Sequence, residues 1–376
     1  MTLRARILAE IAAHGPIPFS RYMQLCLYEP ELGYYSRSAR QFGKAGDFYT
    51  SSDVHAVFGR LLARHFDEMW RALDSPPRID IVELGPGRGL FARDVLDWSR
   101  KKFPTLFDAL HYRLVETSPA LHQHLAETLS DHIASGKASL GEDAVEVSAE
   151  SAAEVPAIFF ANEFFDAFPV EILSSEGKLV LDGHNGRFVE QWVSPSDEEL
   201  HFLDRYGVHP EPGERIEVSL AAQTCMGRLA TSLHRGFFLA IDYGYTRAEQ
   251  LAGRHRGTLL TYRRHSTSAD PYEAPGDQDI TAHVNFTALA AAAQAAGMEP
   301  QKLVTQSQFL MGIGEPNQFA DAFEDCRLPQ ERAKVALQLK HLVTPSGMGE
   351  TFQVLLCSRG VTQEKVAHLS GLSFAH

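Results

Sequence analysis

The chain has 376 residues and a formal net charge of −13, with 44% hydrophobic and 22% charged residues. That length can bury a large core, and the composition is that of a globular protein. The acidic balance argues against a general nucleic-acid binder, whose affinity comes from phosphate neutralisation, and suits a cationic partner better.

The first residues predict an amphipathic helix with Leu3, Ile7, Leu8 and Ile11 on one stripe. This is neither a signal peptide nor a membrane span, and no later stretch is long and apolar enough to cross a bilayer. A cytoplasmic protein without membrane insertion is the expectation. Gly15-Pro16-Ile17-Pro18 reads as a turn, followed by a helix over 19–28 opened by Ser20. An irregular loop over 34–52 precedes a helix over 54–73, whose stripe of Val57, Phe58, Leu61, Leu62, Phe66, Met69 and Trp70 faces a core. Strands and helices then alternate: strands near 79–84, 112–116, 137–140 and 157–161, with helices over 91–102 and 119–130 between them. That order implies a mostly parallel sheet. From 171 to 215 the pattern changes to short antiparallel strands at 178–181, 188–193 and 200–203, with a turn at His184-Asn185-Gly186. A helix over 218–233, a buried strand over 237–242, a strand over 258–262 and a helix over 287–296 stopped by Gly297 follow. A helix over 329–342 and a strand over 351–357 close the core. The expected organisation is a helical arm (1–75), a first core part (76–173), a β-rich insertion (174–216), a second core part (217–360) and a C-terminal tail (361–376).

Ile79-Asp80-Ile81-Val82-Glu83-Leu84-Gly85-Pro86-Gly87-Arg88-Gly89 is the most informative stretch. A dinucleotide turn needs a third glycine where Leu90 stands. The spacing here, Glu-x-Gly-x-Gly-x-Gly, is instead the pattern of class I methyltransferases, which bind S-adenosyl-L-methionine (SAM). Gly85, Gly87 and Gly89 let the backbone approach a cofactor that has no phosphate. The free amides at the start of the next helix favour its carboxylate. Glu83 can accept a bond from its ammonium. Glu116, at the end of the next strand, can serve both ribose hydroxyls with its two oxygens, or cap the helix that follows. An acid after the third strand, Glu142 or Asp143, is the candidate for adenine.

Longer segments extend this reading. They are Gly15-Pro16-Ile17, Leu27 to Tyr35, Gly46-Asp47-Phe48-Tyr49-Thr50, Val82 to Gly89, Asn162-Glu163-Phe164-Phe165-Asp166-Ala167-Phe168-Pro169-Val170, Ile241 to Tyr245, and Gln278 to Phe286. Through them the chain resembles the MidA-like SAM-dependent methyltransferases, a family that includes a mitochondrial assembly factor for respiratory complex I. The resemblance implies a Rossmann-like class I methyltransferase fold, an α/β fold, and protein arginine methylation with a respiratory-complex subunit as acceptor. It also implies that Asp47 lies on a loop folding over the cofactor. A typical member has Asp at the position of Asn285, so no acid–base role is assigned there.

Methyl transfer from SAM needs positioning and correct protonation of the nucleophile rather than a metal or a covalent intermediate. Asn162, counted with the cofactor residues, Glu163 and Asp166 lie at a strand end, where open α/β sheets hold their ligands. If the chain turns helical there, Glu163 and Asp166 share a face and can grip a guanidinium, with Phe164, Phe165 and Phe168 as walls. The alternative is capping and packing. His283 is a candidate proton acceptor or a structural histidine. Asp242, Tyr243 and Tyr245 line a substrate channel or only pack. No metal site is expected, since no His-Glu-x-x-His occurs, and Cys26, Cys225, Cys326 and Cys357 read as reduced structural thiols. Open alternatives are a small-molecule amine methyltransferase and a SAM-binding assembly factor that works by holding a partner.

Overall fold

The computed structural model describes residues 1–36, 56–143, 155–263, 266–268, 270–345 and 347–374. Helices Leu3–His14 and Phe19–Tyr28 flank a two-residue strand, β1 (Ile17–Pro18). Helix Ala56–Ala72 leads into β2 (Ile79–Leu84), helix Leu90–Lys102, β3 (Leu110–Val115), helix Pro119–Thr128, β4 (Ala138–Gly141) and β5 (Ala157–Asn162). An insertion follows: β6 (Glu171–Ser174), β7 (Gly177–His184), β8 (Arg187–Val193), helix Asp197–Tyr206 and β9 (Ile216–Val218). The core resumes with helix Leu220–Ser232 and β10 (Gly236–Tyr245). It passes through β11 (Leu260–Arg263), β12 (Ser266–Ser268), β13 (Asp279–Thr281) and β14 (Val284–Asn285) to helix Phe286–Ala295. It ends with β15 (Glu299–Pro300), β16 (Val304–Thr305), helices Gln306–Gly314 and Pro329–Val343, and β17 (Phe352–Arg359).

The main sheet runs β15-β17-β10-β5-β2-β3-β4. β10, β5, β2, β3 and β4 pair in parallel, and β17 joins β10 antiparallel. Every residue of β2 is buried, as a central strand covered on both faces requires. Helices Ala56–Ala72 and Leu90–Lys102 cover one face, with Phe66 and Phe91 packed on Phe160. Helices Leu220–Ser232 and Phe286–Ala295 cover the other. The chain order moves outward from β2 through β3 to β4, then returns to β5 on the far side of β2. The carboxyl ends of β2 and β5 therefore flank a topological switch point, where such sheets hold ligands.

A second sheet, β1-β7-β6-β9 with β8 on β7, builds the insertion. Its hairpin turns at Asn185 and Gly186, both at positive φ as a two-residue Asn-Gly loop demands. β1 was expected to be only a turn. It instead pairs with β7 at Leu181 and Val180 and ties the N-terminal arm to the insertion. Leu3, Ile7, Ile11, Phe19 and Leu27 share one core with Ile172, Leu179 and Leu181.

Three expectations need correction. Residues 200–203 are not a strand but lie in helix Asp197–Tyr206. Ser196 and Glu199 close a capping box there, and three acids fill the first turn. Ser20 does not open its helix; Pro18 stands at that cap, and the Ser20 hydroxyl donates to Glu171. The segment 361–374 is no free tail. Val366, Leu369 and Leu372 are buried, and Ser370 bonds to Glu68. Among the described residues, no helix is long and apolar enough to cross a membrane.

Candidate active site

The turn after β2 follows directly from its residues. Gly85, Gly87 and Gly89 all take left-handed φ values, 62°, 54° and 74°. A β-carbon on Gly89 would meet Leu125 at 2.8 Å, and one on Gly85 would meet the Phe164 ring at 3.1 Å. A β-carbon on Gly87 would meet nothing within 4 Å among the described residues. Gly87 thus leaves room above the sheet edge, while Gly89 serves close helix packing. Beside this turn opens a cavity of about 510 Å³, within the range of small-molecule sites. Glu83, Gly85, Gly87, Glu116, Asp143, Asn162, Glu163, Asp166 and His283 all line it. Gly89 does not, and Asp47 lies outside the described residues.

Glu83 is buried near the end of β2, where its carboxylate accepts the Tyr112 hydroxyl at 2.9 Å. Burial pushes it up to about 8, against a smaller opposing pull from Tyr112. Glu116 follows β3, and burial raises it too. One of its oxygens accepts the amide of Ser118, the residue that stands at the cap of the next helix, at 2.9 Å, so Glu116 is not itself the cap, and it lines the cavity wall. Asp143, after β4, faces Arg228 of helix Leu220–Ser232 at 3.6 Å. The Asn162 side-chain amide donates to Glu163 at 3.2 Å, while its side-chain carbonyl oxygen is buried without a partner among the described residues. Glu83 and that carbonyl present acceptors at the ends of adjacent strands. With the open space over Gly87, they fit an ammonium-bearing nucleoside cofactor.

The turn after β5 is not helical. Glu163 itself takes φ 49°, and residues 163–166 form an irregular bend. Asp242, at the end of β10 and buried, explains the shape. One of its oxygens accepts the amides of Phe164, Phe165 and Asp166 at 3.1, 2.9 and 3.3 Å, and the other accepts that of Tyr243. Burial first, and then the neighbouring Asp166 and Glu163, raise this acid well above the usual carboxylate range. Asp242 does not line the cavity; it holds the bend that does. Of the three phenylalanines, Phe164 alone lines the cavity.

Asp166 is buried, raised to about 6 by burial, and accepts the Tyr243 hydroxyl. Tyr245 is buried and stacks on His255, so it packs. Tyr243 of β10 lines the cavity, the first of its two expected places, while the fold also brings here groups that no spacing pointed to: Tyr28 and Tyr35 from the arm, Tyr262 from β11, and Asp279 from β13. Tyr28 and Tyr35 stack, and the Tyr35 hydroxyl donates to Asp279 at 2.9 Å. The Tyr262 hydroxyl is raised by burial and by the charges of Asp166, Asp279 and Glu163, which line the same cavity. The available signal was that Tyr28, Tyr35 and Asp279 stand in segments that carry the family resemblance. Asn285 caps helix Phe286–Ala295, accepting the Ala288 amide at 3.0 Å.

A family model described as "Putative S-adenosyl-L-methionine-dependent methyltransferase" matches residues 61–304. The chain is 30% identical to "Protein arginine methyltransferase NDUFAF7 homolog, mitochondrial" of Drosophila melanogaster, over 98% of this chain and 86% of that protein. It is 31% identical to "Protein arginine methyltransferase NDUFAF7, mitochondrial" of Danio rerio, over 92% and 84%. The fold matches a Burkholderia thailandensis crystal structure bound to S-adenosyl-homocysteine with a TM-score of 0.84 and 28% identity, covering 99% of this chain and 95% of that one.

Proposed function

This chain belongs to the family of SAM-dependent methyltransferases, and from that premise we propose that it methylates an arginine side chain of a protein. The observation that carries this reading is the acceptor side of the cavity, where Glu163, Asp166 and Asp279 converge among Tyr28, Tyr35, Tyr243 and Tyr262. A guanidinium has only donors and a delocalised charge, so it needs several carboxylate acceptors and favours aromatic faces. The names of the relatives in fly and fish support the same acceptor. A respiratory complex I subunit, met in the cytoplasm, is the partner that the family resemblance suggests.

SAM supplies an electrophilic sulfonium methyl; as an acceptor nitrogen bonds to it, the C–S electron pair stays on sulfur and one proton must leave the methylated guanidinium. When SAM is bound, the residues around the turn after β2 would hold it, with Glu83 and Asn162 available to its ammonium and Glu116 to its ribose hydroxyls. Glu163 and Asp166 hold the acceptor so that one nitrogen faces the methyl, which is the entropic share of catalysis. The bend fixed by Asp242 sets their directions in advance. Phe164 presents an apolar wall beside Gly85.

Purified protein incubated with tritium-labelled SAM and extract of cells lacking it tests the reading. Label recovered as methylarginine after acid hydrolysis of a protein band supports it. Label confined to small molecules points to an amine metabolite, and bound SAM without any transfer points to an assembly factor; either result overturns it.

A further inference from the structure

His283 lines the cavity, and its ring does not stand alone. Its Nδ1 lies 3.1 Å from Nδ1 of His255, a hydrogen-bond distance between two ring nitrogens. His255 does not line the cavity; it stands behind His283, stacked on buried Tyr245 with ring centroids 5.3 Å apart and planes at 17°. Its backbone takes φ 52°, a left-handed conformation uncommon for a residue with a side chain. Such backbone persists where the surroundings over-determine it, often at functional sites. Gln250, itself buried, donates to the His255 carbonyl at 3.3 Å and to the Tyr245 hydroxyl at 3.3 Å, which braces the stack. Tyr243 also meets the His283 ring edge-on, with centroids 5.4 Å apart.

Burial lowers both imidazoles, His283 down to about 4, so at neutral pH both rings are uncharged. Two neutral imidazoles joined through their Nδ1 atoms share one proton there. Whichever ring owns it decides what the other nitrogen of His283 can do. If His283 donates, its Nε2 carries a lone pair; if His255 donates, Nε2 of His283 carries a hydrogen.

We propose that His255 is a positioning residue that accepts the Nδ1 proton of His283 and so holds its Nε2 as a lone-pair acceptor for the substrate nitrogen. The assignment rests on the arginine reading in one respect: a guanidinium presents only N–H groups, and a second N–H from His283 would oppose it. In the step, the proton lost by the methylated nitrogen passes to Nε2, and the Nδ1–H···Nδ1 bond orients the ring that takes it.

Long-range ¹⁵N–¹H spectra of the full chain labelled with ¹⁵N-histidine test this without an acceptor, with His283 assigned from the His283→Gln variant. In the unaltered protein Nδ1 of His283 shows the protonated shift and Nε2 the unprotonated shift. In His255→Ala the two shifts move toward a mixture of tautomers. In His255→Asn they return, because the amide oxygen accepts the same proton and Asn tolerates the left-handed backbone. If His255→Ala does not fold, the unaltered protein and the Asn variant decide. A protonated Nε2 in the unaltered protein, or shifts indifferent to His255→Ala, overturns the proposal. A protonated Nδ1 supports it whether or not arginine proves to be the acceptor. Where methyl transfer is measured, His255→Ala lowers kcat about tenfold or more at unchanged KM, and His255→Asn restores it.

Discussion

Glu83 ties cofactor binding to pH. Its carboxyl is buried and accepts the Tyr112 hydroxyl, and burial pushes it up to about 8. It is therefore largely neutral at physiological pH, whereas the ammonium of SAM or S-adenosylhomocysteine needs it ionised. Binding then expels a proton. About one carboxyl in a hundred is ionised at about pH 6 and about half at about pH 8, a difference of about 50-fold in affinity or about 2 kcal/mol. S-adenosylhomocysteine is the suitable probe, because it keeps the ammonium and is chemically inert. Calorimetry should show its Kd falling about tenfold per pH unit below about 8 and levelling above, with close to one proton released per ligand in buffers of different ionisation heat. Glu83→Gln should bind more weakly at high pH and lose the slope. The same shift acts on the free protein with a fixed sign. An acid raised on folding stabilises fully below about 4.5 and loses that stability as pH rises through about 8, so the thermal midpoint falls across that window and ligand restores it. An affinity that is flat with pH, or an equal slope in Glu83→Gln, refutes the coupling.

Other perturbations separate the roles of the remaining groups. Gly87→Val places a branched side chain at φ 54° into the open space beside the turn, so S-adenosylhomocysteine binding is lost while circular dichroism stays native. Glu116→Ala should weaken binding by about 1–3 kcal/mol in calorimetry; no change would leave Glu116 with only its bond to Ser118. Glu163→Gln should leave ligand affinity intact and stop transfer from tritiated SAM, and unchanged turnover would remove it from the mechanism. Asp242→Ala strands four amides, those of Phe164, Phe165, Asp166 and Tyr243, and should cost about 3 kcal/mol or more in urea unfolding; a cost under about 1 kcal/mol would contradict its role as the holder of the bend.

Local grammar made much of this legible. The strand–glycine–helix turn, the acid after β3 and the Asn185-Gly186 hairpin each depend on a few adjacent residues whose backbone needs are stereotyped. Residues 200–203 misled because a four-residue alternation says little about period, while the capping box at Ser196 and Glu199 lies just upstream. The bend at 163–166 was illegible locally. Its amides are claimed by an aspartate 76 to 78 residues away, which outcompetes the helix that the acid spacing suggested. Tyr35 and Asp279 meet across 244 residues of sequence because the arm folds against β13, and no spacing rule encodes such a contact.

The two rungs between β1 and β7 have a mechanical consequence. They weld the arm, which carries Tyr28 and Tyr35, to an insertion whose β8 lies far from the glycine turn in sequence. A partner protein that grips the insertion would act on the two cavity-lining tyrosines through paired strands rather than through slack chain. Deuterium uptake in Leu3–His14 and in Gly177–His184 should consequently rise and fall in concert when such a partner arrives or departs.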